Sequence, residues 1–68
     1  MIQIAPHVVV DDEILAGKPI VQGTRIPVSL VVGQIASDES METVMEEYAL
    51  TREQVLAALA YAATVVEE

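Results

Sequence analysis

The chain has 68 residues, eleven acids against three cations for a formal net charge of −8, and no cysteine. That describes one small acidic domain and excludes disulfides and thiolate metal sites. A domain this short buries only about 60% of the surface its unfolded form exposes, so oligomerisation is the staple left to it, with a well-packed monomer as the alternative.

Apolar residues make up 53% of the chain, without phenylalanine or tryptophan, so the core must be built from Val, Ile, Leu, Met and Ala. No apolar run approaches the ~20 residues that cross a bilayer, so no membrane association is expected. Met1-Ile2-Gln3-Ile4 has no basic n-region and does not read as a signal peptide. Together with the missing cysteines, this points to a cytoplasmic protein. The acidic surplus suits a basic partner, whose approach long-range attraction would speed, or serves solubility alone.

In chain order, Val8, Val9 and Val10 form a β-branched run bounded by Asp11 and Asp12, which predicts a short strand. Asp12 is placed to cap a single turn through Glu13, Ile14 and Leu15, ended by Gly17. Pro19-Ile20-Val21-Gln22 then reads as a second extended piece, stopped by Gly23. Strands this short are unstable alone. They must pair on a helical core or with a second copy of the chain, which makes Val8, Val9, Val10, Ile20 and Val21 the candidate dimerisation residues.

A first helix is expected from Pro27, as its first residue, to about Ser37, apolar nearly all round and therefore central. The β-branched residues between Ile26 and Val32 would also suit a strand, but Pro27 and the later periodicity favour helix. A second, short helix follows Ser40 as N-cap, with Met41, Val44, Met45 and Tyr48 on one side and Glu42, Glu46 and Glu47 elsewhere. The third has the best-defined start: Thr51 and Gln54 have capping-box spacing, and Leu50 with Val55 forms a hydrophobic staple. Val55, Leu56, Leu59, Ala62, Ala63 and Val66 are expected along its apolar stripe. Ala57, Ala58 and Ala60 would admit another backbone close by, or simply favour helix.

The fold class is thus mainly α: a trihelical helix-turn-helix core over residues 27–68 and a short β-strand arm over residues 1–26, one domain in all. In such a fold the last helix offers its N-terminal residues to the major groove. Here these include Thr51, Arg52 and Gln54, and Arg and Gln are the side chains that read guanine and adenine edges. Glu53 among them repels phosphate, and capping preferences alone explain the same residues. Catalysis finds no footing. Glu42 and Glu46 sit at i, i+4 without a histidine near them in sequence, and Asp11, Asp12 and Glu13 fit a capped turn. Ser29, Ser37 and Ser40 have no base beyond the lone His7, and Gly17 and Gly23 frame no phosphate loop. No enzyme, cofactor or metal is expected.

Residues 16–28 contain Gly17-Lys18-Pro19 and Gly23-Thr24-Arg25-Ile26-Pro27-Val28. With Ile14-Leu15, Glu46-Glu47-Tyr48-Ala49-Leu50-Thr51, Val55, Ala57-Ala58-Leu59 and Tyr61-Ala62-Ala63, they resemble the family catalogued as domain of unknown function 433 over residues 10–65. Gln22, often basic in relatives, and Ala49, where proline is common, depart from its pattern. The resemblance implies a homeodomain-like fold whose arm dimerises. It also implies an antitoxin of VapB type that neutralises a small basic PIN-like toxin and, as a complex, binds operator DNA to regulate transcription. A protein–protein adaptor that never touches DNA is the alternative. Lys18 and Arg25 match the family motif; they contact nucleic acid or a partner's carboxylate, or else hold the arm by pairing with acids or capping carbonyls.

Overall fold

A computed structural model describes residues 1–66; the burial of Val66 and residues 67–68, the end of the expected core, lie outside the described residues. Three strands, β1 (Ile2–Ala5), β2 (Val8–Val10) and β3 (Ile20–Val21), precede three helices, α1 (Val28–Ala36), α2 (Met41–Tyr48) and α3 (Arg52–Val66).

The strands form one antiparallel sheet with β2 in the centre. β1 was not anticipated, because Ile2-Gln3-Ile4-Ala5 is too short and too exposed to carry a burial pattern. It is joined to β2 by a tight turn in which His7 takes a φ of 62°, a left-handed conformation uncommon outside glycine. Its register against β2 shifts between Gln3 and Ala5, which makes Ile4 a bulge.

Val8 pairs with Val21 and Val9 with Ile20, and all four are buried within the chain. Successive side chains point to opposite faces of a sheet, so the valine run is covered on both sides. Val8 and Val21 belong to the helical core, together with Val28, Val31, Val44, Leu50, Val55 and Ala58. The two short strands satisfy their need for partners inside one chain, and the arm is part of the domain's own core.

The turn after β2 differs from expectation by one residue. Asp11, rather than Asp12, caps it: the Glu13 N–H donates to Asp11 Oδ1 at 2.9 Å and the Ile14 N–H to the Asp11 carbonyl at 2.9 Å. A tight turn, Leu15–Gly17, follows, with all three residues at positive φ (53°, 57° and 82°).

Pro27 proves to be the N-cap of α1, not its first helical residue. The Val28 N–H, the first orphan donor of the helix, is satisfied by the Pro19 carbonyl at 3.0 Å. On α2, Ser40 caps as expected, its Oγ accepting from the Thr43 N–H at 3.1 Å. Val44 is buried and Met41, Met45 and Tyr48 are half-buried. Ala49 closes α2 in the left-handed region, φ 55°.

At the start of α3 the capping box forms in both directions. The Gln54 N–H donates to Thr51 Oγ1 at 3.1 Å, and the Thr51 N–H donates to Gln54 Oε1 at 2.8 Å. Leu50 and Val55, the expected staple, are both buried. The apolar stripe is rotated from the expected one. Val55 and Ala58 are buried and Leu59, Tyr61 and Ala62 half-buried, whereas Leu56 is 47% exposed and Ala63 is exposed. α3 packs against α1, α2 and β2, and the face it turns to them carries Val55 and Ala58 rather than Leu56.

Candidate functional site

Most of the motif residues in the arm shape backbone. Gly23 (φ 82°) turns the chain after β3. Thr24 Oγ1 donates to the Val21 carbonyl at 2.8 Å and accepts from the Ile26 N–H at 3.0 Å, knitting residues 21–26 together. The Val21 N–H donates to the Ile26 carbonyl at 2.9 Å, and Ile20 bridges to Pro27. Gly17 supplies another positive φ, and Pro19 its carbonyl to α1. Lys18 and Arg25 remain with exposed side chains, and neither makes a side-chain hydrogen bond or ion pair among the described residues. The reading in which they tie down the arm by pairing with acids finds no contact here.

The residues expected to read DNA are brought together at the α2–α3 turn. Thr51 and Arg52 are exposed and Gln54 half-buried. Thr51 Oγ1 and Gln54 Oε1 are both engaged in the capping box. Arg52 lies 3.9 Å from Glu42, with both side chains largely exposed, so the pair contributes little to stability. Lys18 and Arg25 lie on a different part of the chain, before α1. Glu42 and Glu53 flank Arg52 and offset its charge towards phosphate.

A second surface was not visible in the sequence. Two apolar grooves adjoin across Tyr61. The larger, about 550 Å³, runs between the arm, α1 and α3, with Pro19, Val28, Val32, Tyr61, Ala62 and Val65 on its walls and Lys18 at its rim. The smaller, about 340 Å³, lies between the β1–β2 turn and α3, with Ile4, Ala5 and Pro6 facing Ala57, Ala60 and Tyr61.

None of the acids among the described residues lines either groove. They occupy the turn after β2, the α1–α2 link, α2 and the start of α3. Among the described residues, a charged region is therefore separate from an apolar face. Its signal in sequence is faint: the run from Gln54 to Val66 has no charged residue, which also describes an ordinary core helix.

The family model for proteins of unknown function, DUF433, matches residues 8–62. The chain belongs to that family. The matched segment starts at β2 and ends within α3, so the Thr24 turn and Tyr61 lie inside it, while β1 and the groove residues Ile4, Ala5, Pro6, Thr64 and Val65 lie outside. No curated protein and no solved structure matches the chain. Among the described residues, no three His, Cys, Asp or Glu side chains converge as metal ligands, no buried side-chain polar atom lacks a partner, and no helix is long and apolar enough to cross a membrane.

Proposed function

We propose that this member of the family is a non-catalytic, antitoxin-like binding module that seats a small basic protein of PIN-like toxin type. The observation that carries the reading is the separation of charge. An open apolar groove that none of the acids among the described residues lines is where a partner's apolar segment would lose water, as interface cores do. The acids on α2 and its flanking turns would steer a basic partner and meet its cations at the rim. Any operator contact would draw its positive charge from the partner, because phosphate neutralisation supplies much of DNA affinity and this chain has three cations in all.

A protein-binding adaptor without DNA contact is the second reading. It is favoured by the α3 N-terminus, where the capping box engages Thr51 and Gln54 and acids stand beside Arg52.

The test isolates the tagged chain from its own host, with a Val32→Glu/Val65→Glu variant and an Arg52→Ala variant in parallel. A small basic protein at equal stoichiometry is expected with the wild type and with Arg52→Ala, and its loss with the double variant. Recovery of the chain alone under all growth conditions, or of the partner despite the double variant, would overturn the proposal. Operator binding by the complex that survives Arg52→Ala/Gln54→Ala would place DNA contact elsewhere than the α3 N-terminus.

A further inference from the structure

The larger groove is lined by a glycine that packing does not explain. Gly33 lies inside α1 and forms part of the groove wall. Glycine in a helix interior is less stable than alanine, and it is needed there only where φ is positive or another group leaves no room for a Cβ. Neither condition holds for Gly33. Its backbone is helical without a positive φ, and nothing lies within 4 Å of where a Cβ would stand. What the missing side chain leaves is depth in the groove. At about 550 Å³ the groove has the size of small-molecule sites, which are apolar clefts with a few polar groups. Its polar side chains are Lys18 at the rim, Ser29 and Tyr61, and among the described residues none of the three forms a side-chain hydrogen bond or ion pair. The Asp12 carboxylate stands beside Gly17 and makes no ion pair with the neighbouring Lys18.

We propose that this groove binds a small free amphipathic carboxylate of the medium-chain fatty acid class. Its aliphatic body lies along Val32, Gly33, Ala62 and Val65, and its one negative charge is held by Lys18. The walls select the body: apart from Tyr61 they are aliphatic or small, so a hydrocarbon chain gains by leaving water there. Charge selects the head. None of the acids among the described residues lines the groove, and a cation stands at its mouth, so this is the part of an acidic chain that accepts an anion. A lysine ammonium is a compact point charge on a flexible stem, able to swing over the mouth and meet one carboxylate. A phosphate monoester would bring about two negative charges to a chain of −8 with a single cation to meet them. The site stands on the groove alone and does not depend on the protein partner proposed above. A ligand in it would keep a partner's apolar segment off the same walls.

The test is calorimetric titration and amide chemical-shift mapping of the purified chain with decanoate, hexanoate and 1-decanol. Decanoate is expected to bind saturably, with shifts concentrated on α1 and the second half of α3. It should bind about tenfold or more tighter than hexanoate, since each methylene is worth up to roughly fourfold when fully buried. Lys18→Gln removes the charge at an exposed position and should weaken decanoate roughly two- to fivefold while leaving decanol unchanged. Gly33→Leu fills the groove from α1 and should abolish binding of both ligands. Its Tm should stay at or above the wild-type value, because leucine is the better helix former and the Cβ has room. Those two readouts separate a filled site from an unfolded chain. The proposal is overturned if no saturable binding occurs at about 1 mM decanoate, or if the shifts centre on α2 or β1. Wild-type affinity for decanoate in a folded Gly33→Leu chain would overturn it too, as would equal loss of decanoate and decanol binding in Lys18→Gln. Should Gly33→Leu fail to fold, the Lys18→Gln comparison and the shift map decide. None of these failures touches the partner reading, whose test is co-purification from the host.

Discussion

Thr51 and Gln54 carry two incompatible assignments, as the cap of α3 and as readers of bases, and stability measurements separate them. Each side chain serves the other's backbone N–H, so Thr51→Ala and Gln54→Ala remove different hydrogen bonds. Loss of a threonine N-cap typically costs about 1 kcal/mol. The Gln54 bond sits at an exposed helix start where water can replace it, so its loss belongs at the low end of the usual range, about 0.5 kcal/mol. Because the bonds are distinct, the double variant should lose roughly 1.5 kcal/mol, with coupling within about 0.5 kcal/mol. For a domain of this size, 1 kcal/mol corresponds to a Tm shift of about 4–8 °C. Thermal melts should therefore show Thr51→Ala lower by several degrees, Gln54→Ala by less, and Thr51→Ser close to wild type, since serine also caps. A Thr51→Ala variant with an unchanged Tm would refute the capping assignment. Thr51 Oγ1 would then be free to face a ligand, and an unchanged Tm for Gln54→Ala would free the Gln54 side chain in the same way.

Core and glycine positions give two further tests. Val31 is fully buried, and Val31→Ala removes two methyl groups and leaves a cavity, costing about 2–3 kcal/mol; urea denaturation should show Leu56→Ala, at a 47% exposed position, within about 0.5 kcal/mol of wild type. Gly33 has ordinary helical backbone and open space where a Cβ would stand, so Gly33→Ala should stabilise by about 0.5–1 kcal/mol. Gly23 has equal space but a φ of 82°, so Gly23→Ala should destabilise by about 1 kcal/mol. Equal melting shifts for the two glycines would refute the role given to the Gly23 backbone conformation, since neither position is crowded.

Helix positions and the caps of α2 and α3 were legible in the sequence because their determinants are local, whereas the cap after β2 and the first residue of α1 were each read one residue off. Ser40, Thr51 and Gln54 hydrogen-bond within three residues of themselves, and Pro27 cannot sit inside a helix. The mainly α class followed, as did the pairing need of two strands too short to stand alone. What the strands pair with was not local. The valine run is apolar on both faces and reads identically whether another chain or its own helices cover it, and only the packed structure shows Val8 and Val21 in the helical core. β1 escaped notice because the alternation of Ile2-Gln3-Ile4 spans only three residues, too few to mark a strand. The same limit explains Leu56. A stripe drawn at helical spacing fixes a set of residues only to within a rotation of the helix, and the packing of α3 against α1, α2 and β2 sets that rotation, with Ala58 inside and Leu56 outside. The grooves across Tyr61 belong wholly to tertiary structure, since they exist only where arm, α1 and α3 meet without filling the space between them.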